Sequence, residues 1–323
     1  MKNSLLQIQQ QILLQLQKYQ ALNRIFIGYS GGIDSHVLLH ACSTLLEFKN
    51  RITAVYIHHG LQKEADAWAI HCQKTAEDLG VSFLVIHVDA NSKCGESPEE
   101  AARNARYDAF KNLISENDVL LIAQHREDQL ETVLLQLFRG SGLKGLAGMP
   151  EKMVFAKGHL LRPLLNIGKD EINSYALENK LVWIEDPSNQ SSIYDRNFLR
   201  QEIIPKLKQR WLSLDKTVAR TATHCAEAEG LISNIAQTQF QTVLNADKSL
   251  DIAKLLTYSP VEQRLILREW FAFSNLKMPS QDFLQRILNE VVFARMDRHP
   301  MLHKKGVTIC RKKNTLFFIC KEH

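Results

Sequence analysis

"FIGYSGGIDSHVLL" (residues 26–39) is the stretch on which the reading of the chain turns. A short apolar strand runs into Ser30, Gly31 and Gly32, then Ile33, Asp34 and Ser35, and from residue 35 the composition is that of a helix. At a strand-to-helix turn the first backbone N–H groups have no intrahelical partner and the helix dipole is positive, so an anion can dock there. Gly31 and Gly32 let the backbone approach phosphate oxygens, and Ser30 and Ser35 can add hydroxyl donors. Asp34 would repel a bare phosphate; it makes sense where Mg2+ lies between its carboxylate and a polyphosphate. The loop has no lysine of its own. A P-loop needs GxxxxGK[ST], and no Gly-Lys-Ser/Thr occurs in the chain; Gly28, Gly31 and Gly32 are misplaced for the dinucleotide fingerprint GxGxxG. A turn with no ligand would explain the two glycines but neither the flanking serines nor the acid.

Outward from this loop, apolar runs at 24–29, 52–58, 81–88 and 118–123 alternate with helix-like stretches at 35–48, 64–79, 98–116 and 127–139. Strands separated by helices predict right-handed crossovers and an α/β fold. Its parallel sheet is covered on both faces and binds ligands beyond the carboxyl ends of the strands. Gly80 and Gly140 follow two of the helices, where a left-handed residue is expected. "SPEE" (97–100) offers an N-cap serine, a proline at N1 and a glutamate at N3. After the glycine-rich loop "RGSGLKGLAG" (139–148), the pattern predicts a hairpin ("MVFAKGHLLRPLL"), a helix near 168–180 and a short strand "LVWI". The polar segment "EDPSNQSSIYDRN" (185–197) follows. From about 198 onward the pattern is mainly helical and closes with two strand-like runs, "GVTIC" and "TLFFIC". A boundary near 211–216 gives a catalytic domain over 1–213 and a mainly helical domain over 214–323.

With 323 residues, 45% of them hydrophobic, the chain can bury the cores of two domains. Its longest apolar runs, "VSFLVIHV" and "DVLLIA", fall far short of the ~20 residues of a membrane-spanning helix. The glutamine-studded N-terminus reads as an amphipathic helix packed on the domain and has no signal-peptide pattern. Six scattered cysteines, with no CxxC, read as reduced thiols of a cytoplasmic protein. The net charge of +5 is uneven: residues 1–199 carry 20 Lys/Arg against 23 Asp/Glu, and residues 200–323 carry 20 against 12. A basic back third suits a polyanionic partner, and equally a solvated helical surface with surplus lysine.

Residues Ser30 to Ser35 match in full the SGGxDS hallmark of the PP-loop ATP pyrophosphatases, which the chain resembles. The resemblance implies a Rossmann-like domain in which Ser30, Gly31, Gly32, Ile33, Asp34 and Ser35 bind ATP, with Mg2+ at Asp34. It also implies a reaction that releases pyrophosphate after AMP is placed on a substrate oxygen. Five further stretches, in order, resemble the tRNA(Ile)-lysidine synthetases: "IHHGLQKEADAW" (57–68), "EEAARNARYDAF" (99–110), "AQHREDQLETVLLQLFRGSGLKGL" (123–146), "LLRPLL" (160–165) and "IEDPSNQSSIYDRNFLR" (184–200). Such enzymes adenylate the C2 carbonyl oxygen of the wobble cytidine in a tRNA(Ile) with a CAU anticodon. The ε-amine of free L-lysine then displaces AMP.

Particular residues can be set against that implication. Asp128 and Glu131 are three apart on one helix face, where two carboxylates can hold a lysine ammonium and, in one case, take its proton. The resemblance puts the lysine pocket at these positions, with Asp128 also catalytic; a solvated acidic helix start is the plainer reading. Glu127 stands where the family usually has an aspartate, and His125 is either a neighbour of the nucleotide or lysine, or a cap. His58, His59 and Gly60 end the second strand beside the nucleotide or simply pack there. Arg103 and Arg106 share a face suited to tRNA phosphates or to surface ion pairs, and Arg139 and Arg200 are further candidates for the tRNA backbone. The resemblance places an active-site arginine at Arg196, with a structural pair to Asp195 as the alternative. In the basic region the candidates are Lys206, Lys208, Arg210, Lys216, Arg220, Lys304, Lys305, Arg311, Lys312 and Lys313. A tRNA thiolase is the nearest rival, but it needs reactive cysteines near the loop and none flanks the site motifs here. A non-enzymatic RNA-binding module would leave the loop unemployed. Longer members of the family extend past the equivalent of "NTLFFIC", and a homodimer is compatible with all of this.

Overall fold

The computed structural model describes residues 2–19, 21–60, 65–89, 98–185, 194–295, 298–304 and 307–320. By packing, the chain divides into two compact units, Met1–Ala226 and Glu227–His323. The division falls inside the helix Leu214–Val243.

The first unit is built on a six-stranded sheet. In chain order its strands are β1 (Ile25–Gly28), β2 (Ile52–His58), β3 (Ser82–His87), β4 (Val119–Leu121), β5 (Lys152–Phe155) and β6 (Gly158–Leu161), arranged β3-β2-β1-β4-β6-β5. All neighbours pair in parallel except the β5–β6 hairpin. Alternation along β1 shows why its residues are apolar throughout. Ile25 and Ile27 enter a core with α1 (Lys2–Leu16) and α2 (Ile33–Ser43), whereas Phe26 enters a second core with Phe110 and Ile114 at the end of α4 (Pro98–Leu113). The N-terminal helix is amphipathic as expected: Ile8, Ile12 and Leu16, spaced by four, are buried.

Helices α3 (Ala65–Asp78), α5 (Arg126–Phe138) and α6 (Leu143–Leu146) lie in the connections between strands, and α7 (Lys169–Glu178) follows the last of them. Gly80 and Gly140 take φ +66° and +67°, the left-handed conformation expected after a helix. The strand expected at "LVWI" does not form. Sheet pairing beside β6 is already taken by β5, and residues 181–185 instead run beneath the β1–α2 loop, where Ile184 N–H donates to the Gly31 carbonyl at 3.0 Å. The cap expected at Ser97 lies outside the described residues, as does most of "EDPSNQSSIYDRN".

The order 3-2-1-4 places a topological switch point between β1 and β4, since the chain leaves β1 toward β2 on one side and later returns to its other side as β4. Open α/β sheets bind ligands outside the strand ends at such a point. Following β1 is the SGGIDS loop; after β4 comes the segment that leads into His125 and α5.

Beyond α8 (Asp195–Phe198) and a π-helical turn at Leu199–Ile203 come α9 (Ile204–Arg210) and α10 (Leu214–Val243). The second unit adds α11 (Ile252–Leu255), α12 (Pro260–Phe273) and α13 (Gln281–Arg286) to a four-stranded antiparallel sheet. That sheet contains the two expected runs, as β9 (Val307–Lys312) and β10 (Thr315–Cys320). It also contains β7 (Leu250–Asp251) and β8 (Met301–Lys304), too short and mixed to stand out in sequence. Trp270 stacks on Phe318 with centroids 3.7 Å apart at the centre of its core. No helix among the described residues is long and apolar enough to cross a membrane.

Candidate active site

The two glycines of the loop are needed for different reasons. Gly31 has φ +81°, and a Cβ there would meet Ile184 Cδ1 at 2.7 Å and Cys72 Sγ at 2.9 Å, so the fold itself requires glycine. Gly32 is extended (φ −73°, ψ 159°) and a Cβ would meet only Ser30 Oγ at 3.6 Å. Among the described residues nothing else approaches that space, which leaves room for a ligand. Gly32 also caps α2 without any side-chain hydrogen bond, so the orphan N–H groups of the first turn are available to an anion. Gly31→Ala is therefore expected to cost about 2–4 kcal/mol of stability from left-handed backbone strain and overpacking. Gly32→Ala is expected to leave the urea midpoint unchanged while weakening ATP binding at least tenfold. Equal loss of stability in the two variants would contradict this division of labour.

The two serines of the loop differ in their surroundings. Ser35 is buried; its hydroxyl donates to the Gly32 carbonyl at 2.9 Å and accepts the Ser30 N–H at 3.2 Å, so it is spent on shaping the loop. Ser30, exposed, keeps its Oγ 3.1 Å from that of Ser35. A cysteine does lie at the loop, since Cys72 packs under Gly31. Burial pushes its thiol up to about 12, which makes it a poor nucleophile.

A cavity of about 530 Å3 opens over the loop. Ser30, Asp34 and Ser35 are among the lining residues, as are the apolar Val55, Ile57, Phe110 and Ile122 and the charged Asp128, Arg106 and Arg196. His59 and Gly60 also border the cavity, while His58 pairs with Asp66 at 3.0 Å.

Charge concentrates at the mouth of α5. Buried His125 has Nε2 3.7 Å from Asp34 and 3.5 Å from Asp128, and Nδ1 3.3 Å from Glu127. The Asp128 carboxylate accepts the His125 backbone N–H at 3.0 Å. Burial opposes charge on the imidazole, but the surrounding carboxylates of Asp128, Asp34 and Glu127 outweigh it and push the group up to about 9. Asp34 is held down at about 2: its burial is overcome by His125 and by Lys169, whose ammonium pairs with it. Glu127, likewise held at about 2, turns away from the cavity; it accepts the Lys169 backbone N–H at 2.9 Å and pairs with Lys208 at 3.2 Å. Glu127 thereby ties the start of α7 to the start of α5.

A stability signature follows. An unfolded histidine titrates near 6.5. His125, raised in the folded state, contributes stability that is complete below about pH 6.5 and is lost as pH rises through about 9. In urea titrations the advantage of the wild type over His125→Gln is expected to shrink across that window, and an advantage that grows with pH would contradict it.

Glu131 is almost wholly enclosed, at 1% side-chain exposure, and is already paired: Arg200 reaches it through Nε at 2.6 Å and Nη2 at 2.9 Å, and Arg196 Nε lies 3.7 Å away. Arg200 also contacts Asp128 at 3.0 Å, so its guanidinium bridges the acidic pair while the side chain stays 42% exposed. Arg196 binds Thr132 Oγ1 at 3.1 Å and borders the cavity; no pair with Asp195 is found among its described contacts. Arg103 and Arg106 both lie over the Tyr107 ring, 5.4 and 5.9 Å from its centroid, and Arg139 is exposed at the end of α5. Arg311, expected among the phosphate-facing basics, is instead buried and donates to the carbonyls of Val292, Ala294 and Lys313. Lys169 was not legible as a site residue, because nothing in "NIGKDEI" marks a partner 135 positions earlier.

The donor set fits magnesium of one kind only. Asp34 is ionised, borders the cavity and stands at the bare start of α2, while among the described residues no group of three or more His, Cys, Asp or Glu could cage a metal. A lone carboxylate such as Asp34 would suit an ion that keeps most of its waters and is shared with phosphates.

A parallel sheet with an anion-binding SGGIDS loop at its switch point is the mark of a PP-loop nucleotide-binding domain, and residues 5–207 match the family described as PP-loop domain. Residues 250–317 match the TilS substrate binding domain. The chain is 43% identical to the tRNA(Ile)-lysidine synthase of Proteus mirabilis over 298 residues, 91% of this chain and 67% of that protein. It is 43% identical to that of Vibrio parahaemolyticus over 303 residues, 93% and 69%. The chain belongs to the tRNA(Ile)-lysidine synthase family, and spans about two thirds of the length of these relatives. Among solved structures, a U34-tRNA thiolase from Methanococcus maripaludis shares the fold, with a TM-score of 0.56 at 18% identity over 68% of this chain and 78% of that one.

Proposed function

We infer that this protein forms lysidine on tRNA(Ile). It activates the wobble cytidine of the CAU anticodon as an adenylate, with release of pyrophosphate, and joins L-lysine to C2 with release of AMP. The observation that carries the reading is the Gly32 cradle: backbone bared for phosphate, beside an ionised Asp34, inside a chain whose relatives are tRNA(Ile)-lysidine synthases. The apolar lining residues take adenine, the start of α2 takes the pyrophosphate end, and Mg2+ at Asp34 offsets phosphate charge. Arg196, at the cavity border, is suited to the α-phosphate, where negative charge must be balanced as cytidine oxygen replaces pyrophosphate.

Lysine is assigned to Asp128, which borders the cavity and is polarised by His125 and Arg200; Glu131 takes part through Arg200, whose guanidinium shares both carboxylates. A lysine ammonium arriving at Asp128 can displace that guanidinium and then lose a proton to the same carboxylate before attack. The wobble base must leave its stack to reach the cavity, which an anticodon loop permits more readily than a duplex does. Arg103, Arg106 and Arg139, with the exposed basic residues after 200 and without the buried Arg311, are assigned to the tRNA backbone, and Glu227–His323 to tRNA binding. The reading implies a cytoplasmic site of action; a homodimer remains part of the proposal.

Thiolation is disfavoured by the same residues. Cys72 at the loop is buried with a raised pKa, and likeness to the thiolase at 18% identity speaks for the fold alone. The test is mass spectrometry of nucleosides from CAU-anticodon tRNA(Ile) incubated with protein, ATP, Mg2+ and lysine. Cytidine gaining lysine less water is the expected product, and a sulfur gain or an unchanged cytidine overturns the reading.

A further inference from the structure

We propose that Lys169 is the lysine the loop lacks: it competes with the divalent cation for Asp34 and, when metal and nucleotide bind, its ammonium passes to the departing pyrophosphate. This rests on the functional reading above. Among the described residues two cations pair with Asp34, and they differ in freedom. His125 is buried and held by three carboxylates at once. Lys169 is about one-third exposed and reaches Asp34 by a flexible stem; its backbone, by contrast, is pinned at the first position of α7 by the bond from its N–H to Glu127. Glu127 in turn is held by Lys208. The anchor is fixed and the charge at its end can swing.

A magnesium ion on Asp34 would stand beside the ammonium, and like charges at contact repel by several kcal/mol even at an effective dielectric constant of ~20. The ammonium must then leave the carboxylate, and the polyphosphate in the same cradle is the adjacent concentration of negative charge. In the adenylation step the bond between the α-phosphorus and its bridging oxygen breaks and the electron pair stays on the pyrophosphate, while the cytidine oxygen forms the new bond to phosphorus. No proton moves in this step. Lys169 would neutralise the charge arriving on pyrophosphate, the part played by the built-in lysine of a P-loop. Ser35 cannot take this part, since its hydroxyl is spent on Gly32.

The test uses the nucleotide-free full chain. Mn2+ binding, followed by electron paramagnetic resonance, is expected to be about three- to fivefold tighter in Lys169→Met, because the competing ion pair is gone. In the presence of metal, pyrophosphate should bind about ten- to a hundredfold more weakly to Lys169→Met, with most of the affinity kept by Lys169→Arg. A merely structural lysine would lower the melting temperature and move neither constant, and Mn2+ and pyrophosphate affinities equal to those of the wild type would overturn the inference. If the wild type itself binds no pyrophosphate with Mn2+, the functional reading fails as well; if it binds and Lys169→Met matches it, the lysine inference alone fails.

Discussion

Asp34→Asn is expected to lower ATP-dependent turnover by about 10²–10³-fold, with the fold intact. The substitution keeps the shape of the side chain but removes the charge that holds the divalent cation, and preorganised electrostatic contacts of this kind carry effects of that size. Stability should change little, because the Asp34–Lys169 pair is about one-third exposed on both sides and such pairs contribute at most ~1 kcal/mol. The lost carboxylate also withdraws one of the three negative neighbours of His125, so the titration midpoint of that imidazole should fall from about 9. Steady-state pyrophosphate release and a histidine NMR titration check the two statements separately. Turnover at the wild-type rate would remove the metal from Asp34.

The second large effect concerns lysine. Asp128→Asn is expected to raise the lysine requirement about 10–100-fold, the worth of a charge-assisted contact, and to leave the ATP requirement nearly unchanged. Glu131→Gln should raise it less, because Glu131 is enclosed and already neutralised by Arg200, and its loss acts by freeing that guanidinium to settle on Asp128. The ratio of the two effects is informative. If Glu131→Gln proves the more damaging, Arg200 leaves when lysine binds and both carboxylates grip the ammonium directly; if both variants raise the ATP requirement instead, the pocket is not for lysine.

Much of this was legible in the sequence because it is local. The SGGIDS turn, the alternation of strands and helices, and the left-handed glycines at 80 and 140 are each set by residues within one or two turns of one another. What stayed hidden is long-range. The Lys169–Asp34 pair and the Arg200–Glu131 pair join residues 135 and 69 positions apart, and charge type alone cannot tell such partners from solvated surface groups. Arg311 shows the converse error: within the run Arg311-Lys312-Lys313 it reads as phosphate-facing, but its strand position turns it inward, where three carbonyls take its protons. Nor does the sequence show that the Ser35 hydroxyl also ties the loop together, since a hydroxyl beside a glycine-rich turn can serve the loop as well as a ligand. "LVWI" has the composition of a strand, and only the occupied place beside β6 shows why it is not one.

Pyrophosphate, not orthophosphate, is expected to leave this cradle. The most direct measurement follows the α- and γ-phosphates of ATP in the presence of CAU-anticodon tRNA(Ile), Mg2+ and lysine. AMP and pyrophosphate in equal amounts, formed only when the tRNA is present, are expected; ADP with orthophosphate would contradict the account.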